Sequence, residues 1–430
     1  MRLLRRTGAW GEVEGSVMGG QILANAPCEY LAVCHRPPAP WGQEHLIDAS
    51  HRCYPESRRK LIAPFLGDSQ VSMPNTRKFQ YAIVIGRFQP VHFGHQRLIE
   101  EGLRAADRVI VVVGSDRKPR SVKDPFTFDE RERMVRACLR GSEQMRVSVV
   151  GVGDSPYNDQ IWIASIQSAV ERLIQQDGHV PAAQAKVALV GHLKDSSSYY
   201  LKLFPHWEFV GQHSVESLNA TDVRNLYFDP ENRGQLARAD LPDGTAAFLD
   251  KFTGTADYAE LCDERAFLVD YRDKYRYAGS DFPPIYTTVD AIVVEAGHIL
   301  LVQRKFHPGK GTWALPGGFV GQHERLQDAA IRELKEETRL KVPVPVLNGS
   351  MKASHVFDAP DRSQRGRTIT HGFFFELAHN QWTGLSDVRA DDDAAAVRWV
   401  PIAEFLGMPD RIYEDHYFIA NHFLGGLGKN

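Results

Sequence analysis

Two short stretches of this chain carry side chains whose types and spacing suit phosphate chemistry. The first is Gly86-Arg87-Phe88-Gln89-Pro90-Val91-His92-Phe93-Gly94-His95, placed between an apolar run at 81–85 and a helical stretch from about 94 to 106. A helix that opens behind such a turn presents unpaired N–H groups and the positive end of its dipole to whatever lies above the strand. Gly86 and Gly94 let the backbone approach a ligand closely, and Pro90 stiffens the turn. His92 and His95, three residues apart, share one face of the helix start, and with Arg87 they form a site for phosphate oxygens. The second stretch holds Glu333, Glu336 and Glu337. At i, i+3 and i+4 these carboxylates fall within about a quarter of a helix circumference. They repel one another unless a divalent cation joins them, and an all-oxygen ligand set selects Mg²⁺ or Mn²⁺. Ile331 and Leu334 point elsewhere and are free to anchor that helix to a core.

The first stretch resembles the signature of the HxGH nucleotidyltransferase superfamily, and Gly-Arg-Phe-Gln-Pro is the form found in nicotinamide-mononucleotide (NMN) adenylyltransferases of the archaeal-like, NadM type. A second motif of that family, Ser-x-Thr-x-x-Arg, corresponds here to Asn219-Ala220-Thr221-Asp222-Val223-Arg224, with Asn219 in the serine's place. The resemblance implies that Gly86, Arg87, Phe88, Gln89, His92, His95, Thr221 and Arg224 bind ATP. His92, His95 and Arg224 would be catalytic, Arg224 as a two-pronged donor to the outer phosphates. It extends over Tyr157-Asn158-Asp159-Gln160-Ile161-Trp162 and Gly191-His192-Leu193-Lys194-Asp195, and implies that Asn158, Trp162, Lys194 and Asp195 hold NMN. Trp162 would stack on the pyridinium ring with a cation–π gain.

The second stretch is similar to the Nudix box, Gly-x5-Glu-x7-Arg-Glu-U-x-Glu-Glu-x-Gly-U with U aliphatic. It runs here from Gly318 through Glu324 and Arg332-Glu333-Leu334-Lys335-Glu336-Glu337 to Leu340. One fixed position differs: Arg339 stands where the box has glycine. That glycine closes the helix in a left-handed conformation, so a strained or differently capped end is expected. The resemblance implies that Glu333, Glu336 and Glu337 bind metal and that Glu333 and Glu337 are catalytic. Gly318, Glu324 and Arg332 would support the box, the last two by orienting the carboxylates. Trp313-Ala314-Leu315-Pro316-Gly317-Gly318 is similar to the family's lead-in. Together the two halves, over about residues 78–425, resemble bacterial bifunctional adenylyltransferase/Nudix proteins whose second domain acts on ADP-ribose.

The elements that must position these residues follow from hydrophobic patterning. Strand-like runs at 81–85, 109–113, 147–152 and 187–190 alternate with helical stretches at 94–106, 129–139 and 160–174. That alternation predicts an α/β, doubly wound parallel sheet covered on both faces, with ligands at the strand ends. A charged helical stretch from about 246 to 275 follows. Then come strands at 287–294 and 298–303, a helix at Leu326–Thr338, strands near Thr368–Leu377 and 396–399, and a C-terminal helix. Strands around one carboxylate-bearing helix predict an α+β Nudix fold. The organisation expected is an extension over 1–75, a nucleotidyltransferase domain over 78–228, a helical linker over 229–280 and a Nudix domain over 281–426.

Composition narrows the partners. A formal net charge of −3 lacks the basic footprint of a nucleic-acid binder. No run approaches the ~20 apolar residues that cross a bilayer, and the basic start has no apolar segment behind it to make a secretory signal. Five cysteines, with Cys28, Cys34 and Cys53 near the start, are too few and too scattered for a disulfide framework, so a reducing cytoplasm is expected. Those three with His35 and His51 lack the close pairs of a structural zinc site. Residues 1–72 have weak periodicity and are expected to be disordered or untranslated, with Met73 as a start just ahead of the first strand.

The expected activity is therefore double. One half makes NAD from ATP and NMN; the other converts ADP-ribose to AMP and ribose 5-phosphate. Two rivals stand beside it: a transferase for another phosphorylated small molecule, and a Nudix domain that senses ADP-ribose without cleaving it. Nothing in the sequence fixes an oligomeric state.

Overall fold

In a computed structural model of the chain, the described residues are 77–192, 200–211, 219–229, 231, 241–274, 283–378, 384–391 and 393–425. The chain divides into Met1–Val71 and Ser72–Asn430, and the first unit, with the expected extension, lies outside the described residues. Lys194 and Asp195 lie outside them too.

Five strands build the first sheet: β1 (Phe79–Gly86), β2 (Ala106–Val113), β3 (Val147–Gly151), β4 (Val187–Gly191) and β5 (Glu208–Gly211). All are parallel, in the order β3-β2-β1-β4-β5. Period two sends alternate side chains of the same strands into two different cores. Ala82, Val84, Val109, Val111 and Val190 pack with α1 (Phe93–Ala105) and α2 (Phe128–Ala137). Ile83, Ile85, Ile110, Val112 and Leu189 pack with α4 (Asp159–Asp177), through Ile163, Ile166, Val170 and Ile174. A single-turn helix, α3 (Gly141–Gln144), leads into β3. Strands buried on both faces explain why the runs read as continuously apolar. The chain winds outward from β1 to β3 and returns on the other side of β1 as β4. The crevice where that order reverses, above the ends of β1 and β4, is where such sheets bind ligands.

The first core continues into α5 (Ala220–Tyr227), α6 (Asp243–Phe252) and α7 (Ala256–Lys274), which bury Val223, Tyr227, Leu249, Phe252, Tyr258 and Leu261 in it. A charged stretch packing as helices was expected here, and two helices occur. Thr255 caps the second by accepting from Tyr258 N at 3.1 Å.

In the second half, β6 (Tyr286–Glu295), β7 (His298–Arg304), β8 (Trp313–Ala314), β9 (Gly317–Phe319), β10 (Met351–Phe357), β11 (Thr368–Leu377) and β12 (Ala394–Pro401) form a seven-stranded mixed sheet. Its main order is β10-β11-β6-β7-β12, with β6 and β11 parallel and the other pairs antiparallel. On one face, Ala329, Ala330 and Leu334 of α8 (Leu326–Thr338) pack on Val289, Ala291, Val293 and Leu300, with Leu347 of α9 (Val344–Ser350) beside them. On the other, after α10 (Ile402–Leu406), α11 (His416–Leu424) packs Ile419, Ala420 and Phe423 on Ile292, Val294, Leu301 and Phe374. This is the layered α+β arrangement expected. No helix among the described residues is long and apolar enough to cross a membrane.

Arg339 ends α8 in the left-handed region, at φ 47° and ψ 30°, so it adopts the conformation the family's glycine would supply. Its N–H donates to Lys335 O at 3.0 Å and its guanidinium pairs with Asp391. A left-handed L-residue costs about 1–2 kcal/mol, and an exposed ion pair returns about 0–1 kcal/mol. Arg339→Gly is therefore expected to stabilise the protein by up to about 1 kcal/mol, read as a raised midpoint in denaturant unfolding. A lowered midpoint would contradict the strain.

Candidate active sites

The turn after β1 is built from its own side chains. His92 is the N-cap of α1: its Nδ1 accepts from Gly94 N at 3.1 Å, and His95 Nδ1 accepts from His92 N at 3.3 Å. Each imidazole thus leaves Nε2 as its N–H donor when neutral. Gly94 is required by closeness, since a Cβ there would lie 2.9 Å from the His92 ring. The two rings are 3.9 Å apart, and the fully buried Phe88 ring packs 4.5 Å from His95. Phe88 holds φ at 54°, a strained conformation sustained by that packing. Burial, with His92, His192 and Arg87 nearby, pushes the pKa of His95 well below the usual histidine value. His95 is consequently a neutral donor at pH 7, not the cation that charge neutralisation alone would call for.

Arg224, 7% exposed, donates from Nη1 to Gln89 O at 2.6 Å and from Nη2 to Thr221 Oγ1 at 3.1 Å. Burial, then the neighbouring Arg87, lowers its pKa to about 10, so it remains a cation at neutral pH. In this structure its fork is engaged with the turn. Asn219 caps α5 by accepting from Thr221 N and Asp222 N, so the serine-to-asparagine change preserves a cap. Gln89 is also part of this turn. It is 2% exposed, and its carboxamide is spent on Phe126, donating to the carbonyl and accepting from the amide, each at 2.9 Å. Its side chain builds the turn.

Gly86, Arg87, Trp162 and Tyr200 line one cleft of 940 Å³. Trp162 is half-buried, with Tyr200 and Phe204 each 6.1 Å away. Asn158 is exposed, and its side-chain oxygen caps α4 by accepting from Ile161 N at 3.1 Å. Sequence reasoning passed over the residues that hold the cleft's rim. Arg131, 1% exposed, donates to the carbonyls of Arg87 (2.9 Å), Gly114 (2.6 Å) and Ser115 (3.2 Å), tying the ends of β1 and β2 together. Asp154 accepts from Ser115 N and Oγ and pairs with Lys118 at 2.6 Å. His192, just past β4, also went unnamed as a site residue. Its place at the β1–β4 reversal was the available signal.

On α8, Arg332 organises the carboxylates. It donates to both oxygens of Glu324 at 2.9 and 2.7 Å, to Glu333 at 2.9 Å, and to Glu336 at 2.8 Å. Those bonds from Arg332, with one from Gly321 N, hold the Glu324 carboxyl down at about 2. Glu337 accepts from Gly317 N at 3.1 Å. Burial, with Glu333 adjacent, pushes the Glu337 carboxyl up to about 8, and burial raises Glu333 as well. Gly318 lies against the Glu333 carboxylate: a Cβ there would meet it at 2.6 Å and displace it. Two further residues, not singled out in the sequence, stand at this site. Asp290, 4% exposed on β6, accepts from Thr370 Oγ1 at 2.6 Å and lies 3.9 Å from His416 Nε2. Arg304 stacks 4.1 Å over the Tyr413 ring, and its charge acts on both Asp290 and Glu337. An acid inside the apolar run of β6 was the legible sign of a site there.

These residues suit a hard divalent cation. The donors are all carboxylate oxygens, and the burial that disfavours the bare carboxylates of Glu333 and Glu337 would be offset by a cation joining them. Among the described residues no three His, Cys, Asp or Glu groups converge as a finished ligand set. Arg332 bridges Glu333 and Glu336, while Glu337 turns to Gly317.

The chain matches the NUDIX domain family over residues 285–422 and the Cytidylyltransferase-like family over residues 83–160. It is 38% identical to the nicotinamide/nicotinic acid mononucleotide adenylyltransferase of Acinetobacter baylyi over 185 residues, 43% of this chain and 92% of that protein. It is 36% identical to the ADP-ribose pyrophosphatase of Methanocaldococcus jannaschii over 159 residues, 36% of this chain and 82% of that protein. A crystal structure of a bifunctional NMN adenylyltransferase/ADP ribose pyrophosphatase from Francisella tularensis, complexed with AMP and Mn ion, superposes with a TM-score of 0.74 at 34% identity, covering 81% of this chain and all of that one. With both sites built on their family motifs and both halves matched in one protein, the chain belongs to the family of bifunctional NMN adenylyltransferase/ADP-ribose pyrophosphatases.

Proposed function

We propose that the first half transfers AMP from ATP to NMN, giving NAD and pyrophosphate. The second half hydrolyses ADP-ribose to AMP and ribose 5-phosphate, and both act in the cytoplasm with Mg²⁺ or Mn²⁺. The observation that carries this reading is the pairing, in one chain, of two sites of opposite charge. Histidines and arginines gather at the β1–β4 crevice, and carboxylates gather on α8.

In the first site the mononucleotide phosphate is already an anion and attacks the α-phosphorus of ATP with pyrophosphate leaving, so no general base is needed. Catalysis is positioning and stabilisation of charge on the phosphoryl group. His92 and His95 offer Nε2–H donors at the N-terminus of α1, and Arg87 and Arg224 add positive potential. In the second site Glu333, Glu336 and Glu337 would hold the metal, which when bound offsets the pyrophosphate charge and lowers the pKa of water. Arg332 keeps Glu333 and Glu336 in place, with Glu324 anchoring Arg332 in turn. Arg304 adds a positive charge that acts on Glu337.

Trp162→Ala tests the substrate assignment of the first site. Loss of the ring is expected to raise KM for NMN by about tenfold and to leave KM for ATP unchanged in steady-state assays. Equal effects on both substrates would reduce Trp162 to a packing residue.

A further inference from the structure

The two loops that frame the transferase cleft are both held by the second half. In the β3–α4 loop, the Tyr157 hydroxyl donates to Asp415 Oδ2, and its ring packs edge-on against Phe357 at 5.1 Å. Tyr157 thus leaves its own sheet and joins the second half's core. Asp415 is a fixed anchor. It is 5% exposed and accepts two bonds of 2.9 Å from Arg362, itself 8% exposed. In the β2–α2 loop, Lys123 pairs with Asp361 at 2.6 Å and its N–H donates to Gln364 at 3.0 Å. Val122 N donates at 2.9 Å to Glu264, whose other oxygen accepts from Gly309 N at 3.0 Å. Arg362, Tyr413 and Asp415 of the second half line the same cleft as Arg87, Asp154 and Trp162.

We infer that the mononucleotide side of the transferase site is a composite of both halves, in which Asp415 acts through Tyr157 as a positioning residue for the loop carrying Asn158 and Trp162. Tyr157 directly precedes the N-cap of α4, and Trp162 stands one helical turn further on. Anchoring the hydroxyl therefore fixes where α4 begins and where the indole stands. A hydroxyl-to-carboxylate bond is among the stronger single hydrogen bonds, and without it the loop must be ordered by the ligand. ATP, held by the turn after β1 and by α5, is spared. This inference rests on the function proposed above.

The test uses the full chain and follows both reactions in steady state. Tyr157→Phe deletes the hydroxyl and keeps the ring against Phe357. It is expected to raise KM for NMN about tenfold, with KM for ATP, kcat and ADP-ribose turnover within about twofold of wild type. Asp415→Asn should show the same selective rise, and the double variant should be no worse than the worse single one, because both cut one link. A general packing defect would instead lower kcat for both reactions and leave KM for NMN alone. NAD formation by the wild type is the control for the functional reading itself. With it in hand, an unchanged KM for NMN in Tyr157→Phe overturns the positioning role and nothing else.

Discussion

Glu337→Gln is expected to lower ADP-ribose turnover by about a thousandfold or more while making the protein more stable in the presence of a chelator. The loss of activity follows from removing one of the three clustered glutamates of α8. The gain in stability follows from where that carboxylate sits. Burial raises its pKa to about 8 from an ordinary 4.5. Below 4.5 the group is protonated in both folded and unfolded chains and contributes nothing. Between 4.5 and 8 the unfolded chain releases the proton while the fold retains it, so stability falls as pH rises through that window and levels off above it. Glutamine carries no charge at any pH and can still accept from Gly317 N. Its advantage should grow from pH 5 to pH 8 and reach about 2–4 kcal/mol, measured by denaturant unfolding with chelator. Adding Mg²⁺ should stabilise the wild type much more than the variant. A variant less stable than wild type at pH 8 would contradict the assigned burial, and retained turnover would contradict the assigned role. NAD synthesis should be unaffected.

His95→Ala is expected to cut NAD synthesis by about 10²–10³-fold and to leave ADP-ribose hydrolysis unchanged. The ring is one of two imidazoles at the start of α1 whose Nδ1 accepts a backbone N–H. Its pKa lies well below the usual value because of burial and the positive surroundings, so it does not titrate between pH 6 and 8. The wild-type rate should therefore show no inflection from this group across that range. An inflection near pH 6.5 that vanishes in His95→Ala would mean that the residue works as a cation or as an acid–base group.

Most of the scaffold was legible because its periodicity is strong. The apolar runs of β1, β2 and β4 are buried on both faces, and α8 spans Leu326–Thr338 as its pattern requires. The elements that escaped notice lack such a pattern. β5 is four mostly exposed residues, and five of the seven residues of β10 are exposed, so neither alternates. The site was legible where chemistry is local: Arg332 and the three glutamates are neighbours on one helix, and His92 and His95 share one turn. It was not legible where distant segments meet. Arg131 gathers carbonyls from two strand ends, Asp290 meets α8 only through the sheet, and Tyr157 reaches Asp415 across 258 residues. Gln89 adds a motif residue whose side chain pairs with Phe126 inside the fold, a partner the sequence did not point to.

The most direct test of two opposed activities in one chain is a product analysis on the purified full-length protein with Mg²⁺ or Mn²⁺. It compares wild type, His95→Ala and Glu337→Gln, each supplied with ATP and NMN or with ADP-ribose. The account predicts that wild type forms NAD with pyrophosphate in the first case and AMP with ribose 5-phosphate in the second, each variant losing one reaction and keeping the other. Failure of the wild type to carry out either reaction, or loss of both in one folded variant, would contradict it.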